Sequence, residues 1–380
     1  MFNTIITGIA SLLTDVSTEM AYPLVPLYLA ALGAPAAALG TIEGFAESSA
    51  SLLRVFSGRL SDRLGRRKPL AIAGYSFSTL GKFLLYLSST WGFVFAARMV
   101  DRLGKGVRTA PRDAIIADSS PEGKRGRRFG LHRAMDTFGA AAGVAIAALL
   151  LSRMPSDLPL ASYQRVFLIS LVPALLAVAV LFFVREPRPA QTARTLPRLS
   201  WAVLPGRLKL FLVVVGIFAL GNSSNMFLLL RARNLGFAPV AVLLLYLVYN
   251  AVYGALSYPA GRLSDRIGRK ALLVAGYSVY GLVYIGFALV HRAELVWVLI
   301  AVYGLFSALT EGLEKALVAD IAPTEHRATF IGLHSTLVGI GLLPASLLAG
   351  ALWTWLGPQA PFWFGGCLGL AAAIGLSLVL

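Results

Sequence analysis

The chain is short of the residues on which soluble catalysts and redox proteins depend. Its 380 residues include one cysteine, Cys367, and four histidines. That excludes a disulfide within the chain and a cysteine-rich metal site. Cys367 lies in an apolar run, where a thiol acts as a small hydrophobic side chain. Charge is also scarce, at 14% of residues, and acids are the rarer sign, 18 against 34 Lys and Arg. A net charge of +16 would suggest a nucleic-acid binder in a soluble protein. Here the bases cluster in alternate short loops between apolar runs, which excludes that reading. No cofactor or enzyme motif is present. GKGVRT at 104–109 has the wrong glycine-to-lysine spacing for a phosphate loop and follows no strand. The start, MFNTIITG, lacks a basic leader region and a cleavage site, so the first apolar stretch is expected to be retained as a span.

What is present is apolar length. Hydrophobic residues make up 57% of the chain, and the mean hydropathy is +0.74. Runs of about 20 apolar residues match the thickness of a bilayer core. They predict an all-α, polytopic membrane protein of twelve transmembrane helices, at 5–30, 37–57, 70–89, 91–112, 127–151, 163–184, 208–232, 239–259, 271–290, 294–318, 327–353 and 360–380. Loops after even-numbered spans are basic: Arg59, Arg63, Arg66, Arg67 and Lys68; then Lys124, Arg125, Arg127 and Arg128; then Arg262, Arg266, Arg269 and Lys270. Loops after odd-numbered spans are nearly bare, with Arg153, Arg233 and Arg292 as exceptions. This places both termini in the cytoplasm. The Pro- and Arg-rich segment 185–207 has no apolar period and reads as a linker. The expected division is a six-helix bundle over 1–185, a cytoplasmic linker over 186–207 and a second bundle over 208–380.

The halves repeat one another. GRLSDRLGRRK at 58–68 returns as GRLSDRIGRK at 261–270, and GYS at 74–76 as GYS at 276–278. ADSSPEGKRGRRFGLH at 117–132 aligns without a gap with ADIAPTEHRATFIGLH at 319–334. Two parallel six-span repeats are the arrangement of a two-bundle transporter.

The repeated phrase resembles the signature loop of the major facilitator superfamily, G-x-L-x-D-R-x-G-R-[RK]. Gly58, Leu60, Asp62, Arg63, Gly65, Arg66 and Arg67 fill it once; Gly261, Leu263, Asp265, Arg266, Gly268, Arg269 and Lys270 fill it again. The resemblance covers essentially the whole chain. It implies that Asp62 meets the start of span 11 and Asp265 the start of span 5, as latches made on one side of a transport cycle. A helix N-terminus is a favourable place for an acid. Gly58 and Gly261 lack side chains, so a neighbouring helix is expected to approach closely there. RMVDRLGKG at 98–106 is similar to the family's R-x-L-Q-G-x-G; Arg98 and Gly104 fit, while Asp101 replaces Gln and Arg102 the first Gly. FGAAAGVA at 138–145 lacks the Gly-Pro pair of drug/proton antiporters.

A charged side chain at mid-span costs at least about 2.5–3.5 kcal/mol and marks a functional site by default. Asp15 and Glu19 share a face of span 1, and Glu43 and Glu47 a face of span 2. In span 4, Arg98, Asp101, Arg102, Lys105, Arg108 and Arg112 draw one polar stripe. His132 and Asp136 share a face of span 5. Asp15, Glu19, Glu43, Glu47, Arg98, Asp101, Arg102, His132 and Asp136 are therefore expected to line a proton-coupling cavity. The second half is neutral at matching places: Glu43 corresponds to Tyr246 and Glu47 to Asn250. Asn222, Ser223, Asn225, Tyr246, Asn250 and Tyr253 are the expected substrate wall. Asp62 and Arg66, with Asp265 and Arg269, are the expected gates. His132 and His334 are equivalent, and a hydrogen bond near a helix end is the expected role of each.

These readings describe a monomeric secondary transporter in a bacterial inner membrane. It moves a small polar, amphoteric or anionic molecule with protons as partners, efflux being favoured over uptake. A facilitator or symporter is the alternative within the class. A sensor or assembly partner that keeps the fold is the alternative outside it.

Overall fold

The computed structural model describes residues 1–120, 125–154, 158–186, 204–321 and 327–380, the side chains at 59, 62, 125–127 and 327–329 excepted. Most of the expected 186–207 linker, and the loop bases Arg59, Lys124, Arg125 and Arg127, lie outside what is described. Among the described residues the chain is helical and has no strand.

Fourteen helices make twelve spans. Helix α1 (Phe2–Ala21), a 3-10 turn (Tyr22–Leu24) and α2 (Val25–Ala31) form the first. Pro23 and Pro26 supply no N–H to a continuous ladder, so the span breaks there. Helices α3 (Ala36–Leu64), α4 (Lys68–Leu87), α5 (Trp91–Asp118), α6 (Arg125–Ser152) and α7 (Leu160–Leu181) complete the first repeat. The seventh span, expected to be continuous, is split into α8 (Gly206–Gly221) and α9 (Met226–Asn234) by Asn222–Asn225. Helices α10 (Pro239–Ile267), α11 (Arg269–Leu289), α12 (Ala293–Ile321), α13 (Arg327–Leu356) and α14 (Ala360–Val379) follow. Among the described residues nine helices are long and apolar enough to cross a bilayer. The spans that fall short, α1–α2, α3 and α5, carry most of the acids and bases of the first half.

The helices group into two compact units. One comprises Met1–Ala34 and Phe45–Arg194, the other Pro35–Gly44 and Thr195–Leu380. The first turns of α3 thus group with the second unit, where Gly350 of α13 sits so close that a Cβ on it would stand 2.8 Å from Ala37 Cα.

Within the first unit the charged helix α5 is held hard against α4. Small residues let the two backbones meet. A Cβ on Gly81 would lie 2.5 Å from Asp101 N, and one on Gly104 2.5 Å from Ser78 N and 2.6 Å from Gly74 O. Ser78 Oγ donates to Asp101 O at 3.1 Å across the same seam. Thr90 caps α5, its side chain accepting from Phe93 N at 3.3 Å. Outward residues such as Val172, Leu175 and Leu176 of α7 are exposed and apolar, as a lipid-facing surface requires.

The two loop glycines expected at close helix contacts are not at any. A Cβ on Gly58 would make ordinary contact with Ala110 Cβ at 3.4 Å, and one on Gly261 would meet nothing within 4 Å. Close approach in this protein is concentrated at mid-span glycines instead. A substitution pair checks this. Gly104→Val should lower the thermal midpoint of purified protein, overpacking costing about 1–3 kcal/mol. Gly261→Ala should leave it unchanged within about 0.5 kcal/mol.

Candidate functional site

The stripe on α5 is buried rather than solvated. Arg98, Asp101, Arg102 and Arg108 are each less than 10% exposed. They survive burial because each has a partner. Asp101 takes Arg98 at 3.3 Å, Lys82 of α4 at 3.5 Å and Arg102 at 3.9 Å. Glu47 of α3 takes Arg102 at 2.8 Å and Lys105 at 3.8 Å. The guanidinium groups of Arg98 and Arg102 also lie over the Tyr22 ring, 4.8 and 5.0 Å from its centroid. Arg108 lies 4.4 Å over the Tyr75 ring.

Among the described residues, Asp101 and Glu47 thus meet Lys82, Arg98, Arg102 and Lys105. Beside them is a recess of about 10 Å³, room for roughly one water, lined by Thr18, Tyr22, Lys82, Arg98 and Asp101 among others. Lys82 and Tyr22 were not among the expected site residues. The signal for Lys82 was present: it is the one charge within the otherwise apolar stretch 69–89.

The remaining acids of the first half fall elsewhere. Asp15 is within electrostatic reach of Asp136, Arg108 and Arg112. Arg112 bonds Ser11 Oγ at 3.1 Å and its neighbour Asp113 at 2.8 Å. Glu19 packs along α6, where a Cβ on Gly143 would stand 3.1 Å from Glu19 Cβ. Glu43 and Glu47 share a helix face but not a neighbourhood. Glu43 belongs with the second unit, is fully buried, and accepts from Ser224 Oγ at 3.3 Å. His132 is buried two turns into α6, with Nδ1 3.3 Å from Asp136. His334 is likewise inside α13, bonded to Glu314 at 3.0 Å. Neither sits at a helix end as expected; the helices begin before the loops end. Among the described residues no group of three or more His, Cys, Asp or Glu could hold a metal.

In the second unit hydroxyl groups occupy the positions of these charges. Lys82, Asp101 and Lys105 correspond to Tyr284, Tyr303 and Ser307 in the repeat. Tyr303 donates to Asn225 at 2.7 Å, Asn225 donates to Tyr249 at 3.4 Å, and Tyr249 meets Ser307 at 3.1 Å. Tyr280 donates to Gly221 O at 2.7 Å, satisfying a carbonyl freed by the break before α9. Ser223 bonds Tyr284 within that break, and Asn222 caps α8. Tyr246 stacks on Tyr249 at 5.9 Å. Asn250 spends its amide on its own helix, donating to Tyr246 O at 2.9 Å. Tyr253 donates to Glu311 at 2.6 Å.

The signature loops show why they carry two glycines. Gly65 and Gly268 end α3 and α10 with φ of +61° and +90°, a conformation that favours glycine. Beyond each, an arginine reaches the end of the fourth helix of its repeat. Arg67 meets Asp118 at 2.9 Å, and Arg269 meets Asp320 at 2.9 Å. Arg269 is thus the counterpart of Arg67, and Arg66, exposed, is the extra residue of the first copy. Asp118 and Asp320 went unmarked in the sequence, although the repeated AD dipeptide contains both. Asp265 is exposed in the last turn of α10; the side chain of Asp62 lies outside the described residues.

Comparison with known proteins decides the family. The description Major Facilitator Superfamily matches residues 7–220 and again 210–380. The chain belongs to the major facilitator superfamily. An MFS-type transporter of Methanocaldococcus jannaschii, itself uncharacterized, is 38% identical over 99% of this chain and 94% of the relative. The multidrug resistance protein MdtH of Sodalis glossinidius is 25% identical over 93% and 88%. Among solved structures, the nucleoside transporter NupG superposes with a TM-score of 0.81 at 14% identity, covering 100% of this chain and 99% of that one. A D-xylose-proton symporter does so with 0.75 at 19%, covering 99% and 97%. At those identities the structures establish the shared fold. As a major facilitator the protein is a multi-pass membrane transporter, not an enzyme, and its substrate is a small molecule.

The ionic network makes a stability prediction. Lys82→Met and Asp101→Asn each strip a partner from a buried charge, and should each cost about 3–5 kcal/mol. Thermal unfolding of the purified variants checks it; Arg292→Met, at an exposed position, should unfold like the parent.

Proposed function

We propose that this superfamily member is a secondary active transporter of small anionic or amphoteric molecules, driven by protons and working outward across a bacterial inner membrane. The two repeats act as the moving bodies of an alternating-access cycle. Both termini face the cytoplasm by the distribution of Lys and Arg, and the working unit is a monomer. The signature-loop acids Asp62 and Asp265, with Arg66 and Arg269, serve as latches in that cycle.

One observation carries the substrate class: the buried cations Lys82 and Arg98 line a recess together with Asp101, with Arg102 buried beside them. Cations held at such a recess attract an anionic group on a bound molecule. Within the second unit, Asn225, Tyr246, Tyr249 and Tyr303 are the groups offered for polar contacts with substrate. Asp15, Glu19, Glu43 and Asp136 are the carboxylates offered for proton coupling. The multidrug resistance name of one relative favours efflux.

Two measurements on purified protein test this. A thermal-shift screen of anions, zwitterions and cations should show stabilisation by anions or zwitterions, lost in Arg98→Gln; stabilisation by cations alone contradicts the charge argument. In proteoliposomes the stabilising compound should be driven against its gradient by an imposed pH difference. Flux indifferent to that pH difference leaves a facilitator, and no flux of any stabilising compound leaves a sensor.

A further inference from the structure

One buried titratable cluster lies outside both sets of residues above. Glu314 of α12 and His334 of α13 are 9% and 2% exposed. His334 Nε2 is 3.0 Å from Glu314 Oε2, and Tyr277 of α11 donates its hydroxyl to Glu314 Oε1 at 2.9 Å. Phe211 of α8 stacks over the imidazole, ring centroids 6.1 Å apart and planes within 11°. The other ring nitrogen, Nδ1, is buried without a hydrogen-bond partner among the described residues.

We propose that Glu314 and His334 form a proton-binding pair buried within the second unit. This rests on the proton-driven reading above and adds to the carboxylates offered there a site within the second unit.

The argument is one of charge. An ionised carboxylate beside a neutral imidazole leaves the pair at −1, and a buried uncompensated charge is costly. Among the described residues, Tyr277 and Phe211, in direct contact with the pair, carry no positive charge. Tyr277 offers a neutral hydroxyl, Phe211 an apolar ring, and Tyr249 and Tyr253 of α10 turn to Asn225, Ser307 and Glu311. On α12 itself Glu311 and Lys315 are exposed, and Asp320 pairs with Arg269. At the start of α8, Arg207 is bonded to Leu380 O. One proton taken from water, with nothing released, brings the pair to zero, whether it rests on the ring or on the carboxyl. The Nε2···Oε2 bond lets it pass between the two.

The first unit shows that the repeat does not demand this arrangement. Its counterparts of Tyr277, Glu314 and His334 are Tyr75, Arg112 and His132. A permanent cation stands there in place of the acid, and His132 turns instead to Asp136 on its own helix.

Infrared difference spectroscopy of the full-length purified protein, titrated with acid and base between about pH 5 and 9, tests the pair without any substrate. The parent should show carboxyl and imidazole bands changing in one transition. Glu314→Gln should remove the carboxyl component, and His334→Gln should move its midpoint. Tyr277→Phe, which keeps both titrating groups and the helix packing, should also move it. Spectra of Glu314→Gln that match the parent, or a midpoint indifferent to His334→Gln and Tyr277→Phe, would overturn the proposal. A titrating pair in a protein whose flux ignores pH would sink proton driving alone. Proton-driven flux with a silent pair would sink the pair alone.

Discussion

Everything in the first unit is arranged around the difficulty of keeping charge inside a membrane. Helix α5 brings Arg98, Asp101, Arg102 and Lys105 into its span. Their charges must be met by Lys82 from α4 and Glu47 from α3. That in turn requires α4 and α5 to touch, which is why Gly74, Gly81 and Gly104 line the seam. A side chain at those glycines would separate the helices and strand the ions. Packing and electrostatics are here one requirement, since an ion pair in a dry interior is favourable only with good geometry.

The second unit meets the same architecture without that difficulty. Tyr284, Tyr303 and Ser307 replace Lys82, Asp101 and Lys105, and their hydroxyls bond to each other's neighbours and to the broken span at Asn222–Asn225. The exchange runs the other way at one place, where Glu314 stands opposite Arg112. Duplication followed by divergence has left a first unit rich in ion pairs and a second built mainly on neutral hydrogen bonds, with Glu43, Glu311 and Glu314 among them.

Much of this was legible in the sequence. Twelve spans follow from apolar length, and the repeat is written openly in GRLSDR and GLH. The stripe on α5 was visible from spacing alone; its pairing with Glu47 is set by how α3 packs. What escaped were features set by a partner helix. Lys82 stood alone in an apolar span, and only its neighbour on α5 explains it. The break at Asn222–Asn225 is a tertiary choice, as its freed carbonyl is taken up by Tyr280 of another helix. Glu43 and Glu47 look like twins on a helical wheel, yet answer to different units because contacts change along α3. The loop histidines looked terminal because helix ends are hard to place from polarity when a helix extends past the membrane.

The central claim is that the buried charges of the first unit stabilise one another as a linked set. A double-mutant cycle on Glu47→Gln and Arg102→Met, read as unfolding free energy of the purified protein, measures that directly. The account predicts a coupling of at least about 1.5 kcal/mol, as for close, desolvated charge pairs. Effects that add to within about 0.5 kcal/mol, as at independent sites, would contradict it.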